Sequence, residues 1–78
     1  MRVLFFAHLK DVTGCAHTEL DCGEVDADGL WDALLQRYPG LGPYRSTVRL
    51  ACNARYAGPD TRFGPSDEVA LIPPVSGG

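Results

Sequence analysis

The sequence predicts an α+β domain in which one main helix covers one face of a mixed sheet of four to five strands. Three observations carry this expectation. The chain has 78 residues, 45 % hydrophobic and 22 % charged, which is enough for one small core and too little for two. Short apolar segments with β-branched residues, the first of them also aromatic, stand near both ends and read as strands. Between Asp26 and Tyr38 the apolar residues instead recur three and four apart, the spacing of a helix.

The first strand is expected at Arg2-Val3-Leu4-Phe5-Phe6-Ala7-His8, and Lys10, Asp11 and Gly14 read as the turn that follows, with Lys10 a solvated turn residue. Ala16 to Asp21 alternates and supplies the returning strand, closing near Gly23. Ala27, Leu30, Trp31, Leu34 and Tyr38 form one helical stripe; Asp26 is placed to cap it and Asp28 to sit in its first turn. Gly29 weakens this helix by about 1 kcal/mol relative to alanine, and Pro39-Gly40 stops it. A loop with Gly40, Gly42 and Pro43 leads to a strand from Val48 to Asn53, where Asn53-Ala54 bends into a short arm near Tyr56. Gly58-Pro59-Asp60 and Gly64-Pro65-Ser66-Asp67 punctuate the chain before a last strand, Glu68 to Ile72. The order ββαβ(β)β is that of the β-grasp, or ubiquitin-like, arrangement. Residues 1–72 make the domain and 73–78 an extended tail.

Seven Lys and Arg against ten Asp and Glu give a net charge of −3, the wrong sign for a phosphate-binding footprint, so neither nucleic acid nor an acidic membrane is an expected partner. The longest apolar stretch, Val69 to Val75, is too short to span a bilayer and contains Pro73 and Pro74. The segment after Arg2 lacks the long apolar centre of a secretory signal, and a cytoplasmic location is expected. Cys15, Cys22 and Cys52 show no metal or redox spacing and read as reduced thiols, with Cys52 as core filler, and no metal is expected. His8 and His17 lack a nucleophile or carboxylate at a recognisable spacing and read as surface residues.

Strand side chains alternate between faces, so Val3, Phe5 and Ala7 are expected on one side and Leu4, Phe6 and His8 on the other. The last strand repeats this, Val69 and Leu71 against Ala70 and Ile72. A single helix covers one face only. Leu4, Phe6 and Ile72 are therefore candidates for a protein interface, with Arg49 at its rim, unless Tyr44 or Phe63 folds over the second face.

The tail Pro73-Pro74-Val75-Ser76-Gly77-Gly78 carries no charged side chain. Its prolines favour an extended path, and six residues reach about 20 Å. Gly77 and Gly78 have no side chains, so a terminal carboxylate at Gly78 could enter a channel too narrow for other residues. A carboxylate must be activated before it reacts, and this chain has no Gly-rich phosphate cradle, so activation is expected from a partner. Sulfur attack on the activated carbonyl gives a thiocarboxylate; amine attack gives an isopeptide.

Glu68-Val69-Ala70-Leu71-Ile72 running into Pro73-Pro74-Val75-Ser76-Gly77-Gly78 closely resembles the end of the small, sulfur-carrying subunits of molybdopterin synthase. Val3-Leu4-Phe5-Phe6-Ala7 is similar to that family's first strand, and Gly64-Pro65-Ser66-Asp67-Glu68-Val69 to its turn into the last. The resemblance implies that Gly78 is adenylated by an ATP-using activating enzyme and converted to a thiocarboxylate. It then gives sulfur to a cyclic pyranopterin monophosphate, forming the dithiolene of molybdopterin. It implies further that Val75, Ser76, Gly77 and Gly78 enter the large synthase subunit, that Phe6 and Ile72 lie on the partner face, and that two carriers and two large subunits form a heterotetramer. No cofactor is expected on the chain itself, and ATP is used by the activating partner. Carriers for thiamin, cysteine or RNA thiolation, a modifier joined to lysines, and a plain interaction module are the competing readings.

Overall fold

The computed structural model describes residues 1–74. Five strands, β1 (Arg2–Phe5), β2 (His17–Glu19), β3 (Arg49–Cys52), β4 (Arg55–Tyr56) and β5 (Glu68–Ile72), form one mixed sheet in the order β2-β1-β5-β3-β4. The central strand β5 runs parallel to β1 and antiparallel to β3, and β2 and β4 pair antiparallel at the edges. Helix α2 (Ala27–Arg37) supplies the long cover, as the β-grasp expectation requires.

The reasons for α2 are local. Asp26 is extended, and its Oδ1 accepts from the Gly29 N–H at 2.8 Å, which satisfies one of the unpaired donors of the first turn. Leu30, Trp31 and Leu34 are the buried stripe. Gly29 stands at a close approach, since a β-carbon there would lie 3.0 Å from the Cβ of Val25, which would have to yield. Pro39 disfavours helical backbone at the preceding residue, and Tyr38 turns out at φ −131°, ψ 76°.

The core gathers Val3 and Phe5 from β1 and Val69 and Leu71 from β5 against Leu30 and Leu34 of α2, with Leu9, Leu41 and Phe63 fully enclosed beside them. Complete burial of each such side chain stabilises by about 1.5–3 kcal/mol. Phe63 is held by a two-way backbone bridge to Val25, with N···O distances of 2.7 and 2.9 Å. Tyr44 packs against the same core and meets the His8 ring in a tilted contact, centroids 5.2 Å apart. Neither residue folds over the second face.

Three expectations need correction. The first strand ends at Phe5 rather than His8, because Ala7 adopts φ 52° and turns the chain; Ala7 is exposed and does not continue the Val3–Phe5 face. What reads as a turn at Lys10, Asp11 and Gly14 is a short helix, α1 (Leu9–Thr13), anchored by fully buried Leu9 and ended by Gly14 in the left-handed conformation, φ 78°. The proline-glycine loop after α2 is a 3-10 helix, Pro39–Tyr44, that drives Leu41 into the core.

Candidate functional site

The uncovered face of the sheet is one continuous apolar surface. Registers place Leu4 beside Ala70, Ala70 beside Ala51, and Ala51 beside Tyr56, so these four residues cross four strands in a single row. The next row, toward the end of β5, pairs Ile72 with Arg49. Phe6 lies one residue beyond the Phe5–Leu71 pair, at the same end. The row at the opposite end is charged, with Arg2 between Glu19 and Glu68.

Leu4, Phe6, Ala51, Ala54, Tyr56, Glu68, Ala70 and Ile72 line a shallow hollow of about 330 Å³. Its shape follows from residue size: Ala51 and Ala70 form the middle, with the larger Leu4, Phe6, Tyr56 and Ile72 around them. Phe6 is 46 % and Tyr56 62 % exposed, unusual for large aromatic side chains, whereas Ala51 at the floor is 6 % exposed. The Arg49 guanidinium stands 4.7 Å from the Tyr56 ring centroid, a cation–π contact that leaves its charge on the rim.

The structure therefore brings Leu4, Phe6, Ile72 and Arg49 onto one face, as the alternation predicts. Sequence reasoning missed Ala51, Ala54 and Tyr56. Ala51 shares parity with Arg49 and was findable; Tyr56 and Ala54 depend on how the two-residue strand β4 folds back. Val75, Ser76, Gly77 and Gly78 lie outside the described residues. Their root does not: β5 ends at Ile72, and Pro73 and Pro74 leave the sheet beside Phe6 and Arg49.

The far end of the face is fixed by a polar clamp. Asn53 donates from its backbone N–H to the Glu68 carbonyl at 2.8 Å, and its Oδ1 accepts from the Glu68 N–H at 3.0 Å. Its Nδ2 donates to Asp67 Oδ1 at 3.0 Å, while Asp67 Oδ2 accepts from the Gly64 N–H at 2.7 Å. The Gly64 bond first, then the Asn53 bond, hold the Asp67 carboxyl below the usual carboxylate range. Burial, and next the Asp67 charge, push the neighbouring Cys52 thiol up, so it is kept protonated and poorly nucleophilic.

Other chemistry is sparse among the described residues. Cys15, Cys22 and Cys52 are free thiols. No group of three His, Cys, Asp or Glu is placed to hold a metal ion among them, and no helix there is long and apolar enough to cross a membrane. His8 and His17 are exposed.

Comparison with known proteins gives the face a context. The ThiS family matches residues 3–78. The molybdopterin synthase sulfur carrier subunit of Homo sapiens is 33 % identical over all of this chain and 93 % of its own length. That of Mycobacterium tuberculosis is 37 % identical over all of this chain and 96 % of its own. Among solved structures, SAMP1 from Haloferax volcanii superposes with a TM-score of 0.79 at 27 % identity, covering 100 % of this chain and 98 % of its own. A chain in the complex of subunits 1 and 2 of molybdopterin-converting factor from Helicobacter pylori superposes with a TM-score of 0.70 at 27 % identity, covering 99 % and 96 %.

Proposed function

This chain belongs to the ThiS family, and from that premise we propose that it is the sulfur carrier subunit of a molybdopterin synthase. The observation that carries the reading is the apolar face that continues into the root of the Pro-Pro tail, in a chain whose relatives bear that name over their whole length.

In this reading the carboxylate of Gly78 is the free terminus and the reacting group. It attacks the α-phosphorus of ATP on an activating enzyme, and pyrophosphate leaves. A sulfur nucleophile then displaces AMP from the acyl carbon, and the resulting thiocarboxylate delivers sulfur to a cyclic pyranopterin monophosphate. The contribution of this chain is placement. Pro73 and Pro74 lack backbone donors and resist pairing with a neighbouring strand, so the tail leaves β5 as a probe for a narrow channel. Val75, Ser76 and Gly77 follow Gly78 into that channel.

The open face docks the large subunit, with Phe6 and Ile72 as anchors, Leu4 in the wall and Arg49 at the rim. That a relative occurs in a complex of two converting-factor subunits supports this pairing. The two-plus-two heterotetramer belongs to the same reading. ATP is consumed by the activating partner, and no cofactor is held by this chain. Dependence on ATP supports a cytoplasmic location.

Fragment-level mass spectrometry of the C-terminal peptide, after incubation with an activating enzyme, ATP and a sulfur source, tests the chemistry. One oxygen of Gly78 is expected to be replaced by sulfur; the intact mass is insufficient, because oxidation of Met1 or a cysteine adds nearly as much. An unmodified tail, with a known carrier converted in parallel, overturns the reading. Gly78 found joined to lysine amines would replace the carrier by a modifier.

A further inference from the structure

We propose that Ala54 is a specificity-determining contact of the open face, held in a left-handed backbone conformation so that its methyl group meets the docked large subunit. The proposal rests on the docking just described and names a residue that recognises the partner at the end of the face remote from the tail.

Positive φ occurs at Ala7 (52°), Gly14 (78°), Gly23 (67°), Asn53 (51°) and Ala54 (69°). Glycine takes this conformation without steric penalty, asparagine with little, and alanine with a distinct one. At Gly14 and Gly23 a β-carbon would meet no atom within 4 Å, so glycine there forfeits no contact. Two alanines, Ala7 and Ala54, carry positive φ, and of these two it is Ala54 that lines the hollow, together with Leu4, Tyr56 and Ala70. Consecutive left-handed residues in a hairpin turn are ordinarily Asn-Gly, yet this chain places Asn-Ala there.

Strained backbone persists only where its surroundings enforce it. Here Asn53 is tied twice to Glu68 and once to Asp67, and Asp67 in turn to Gly64. The methyl does not stabilise this chain's own core, since Ala54 is exposed and stands outside the buried cluster. Its place in the hollow's lining assigns the methyl to whatever covers the hollow.

The large subunit is the occupant that fits. β3 runs from Arg49, opposite Ile72, to Cys52, opposite Val69, so the Asn53-Ala54 turn lies at the start of β5, away from the tail. A partner held at the tail root alone, beside Ile72, need not touch Ala54. One that receives the tail while covering the continuous apolar surface meets both ends, and the single methyl then distinguishes full docking from capture of the tail alone.

The test compares Ala54→Gly with the unaltered full chain by thermal unfolding and by titration with the purified large synthase subunit from the same organism. Release of the left-handed strain is expected to raise Tm by about 4 °C. Loss of one buried methyl is expected to weaken binding about fourfold. Those two changes have opposite senses, which a merely structural role for Ala54 does not produce. Unchanged affinity overturns the proposal, and so does an unchanged or lowered Tm. Phe6→Asp, run alongside, separates the causes of failure. If it loses binding while Ala54→Gly does not, only the role of Ala54 falls; if both bind normally, the docking face falls with it.

Discussion

The two faces of the sheet are drawn from the same strands and are nearly equal in apolarity, yet one is core and the other is surface. Val3, Phe5, Val69 and Leu71 lie under α2 and are at most 1 % exposed. Their alternates, Leu4, Phe6, Ala70 and Ile72, stay partly or largely accessible. The difference lies in what stands above each face: on one, α2, the 3-10 helix and Phe63; on the other, nothing among the described residues. Apolarity by itself therefore does not specify burial. Side-chain size records the division of labour as well. The covered face is filled with large, close-packed residues, whereas the open face keeps Ala51 and Ala70 at its centre and so stays concave.

Substitutions of similar kind on the two faces should act on different quantities. Phe63→Ala, on the covered side, is expected to cost about 3–5 kcal/mol of stability, a quarter or more of what a domain of this size holds. A urea midpoint shifted by less than a quarter of the whole would contradict the core assignment. Ile72→Asp, on the open side, is expected to change stability by only about 1 kcal/mol while weakening large-subunit binding more than tenfold, or about 1.4 kcal/mol. Equal affinity for the charged variant would remove Ile72 from the interface.

The smallest effect concerns the clamp at the far edge of the open face. Folding lowers the Asp67 pKa, so its contribution is complete above the ordinary carboxylate range and is lost as pH falls through the lowered folded value. Asp67→Asn should therefore flatten the acid limb of stability between about pH 5 and pH 2. Urea midpoints that decline in parallel for the variant and the unaltered chain would show that Asp67 titrates without consequence for the fold.

Local features were largely legible in the sequence. Asp26 caps α2 as its position predicts, and the strand of Glu68 to Ile72 has the predicted limits. The parity that sets Leu4, Phe6 and Ile72 apart from Val3, Phe5 and Leu71 also holds in the structure. Helix α1 was not legible, because five residues are too few to display a helical period and its one buried side chain, Leu9, has no partner nearby in sequence. Phe63 was open to two readings, since a lone aromatic residue between two glycine-proline turns carries no directional signal; its bridge to Val25, thirty-eight positions earlier by their numbers, settles its side. Ala54 was recognised as part of a bend, but its placement on the hollow depends on the fold of β4 over β3.

Sequence by itself determined the main helix and the last strand, which residues fall on opposite faces, and the Gly-Gly pair at positions 77 and 78. These depend on period, capping and backbone stereochemistry, which act over a few residues. Only the tertiary structure decided which of two equally apolar sets became the core. Alternation is symmetric between the faces of a sheet, and the choice is made when one helix settles on one side. It decided equally that the parallel pairing of β1 with β5 brings Phe6 and the tail root to the same end, a juxtaposition of positions remote in sequence that no local pattern encodes.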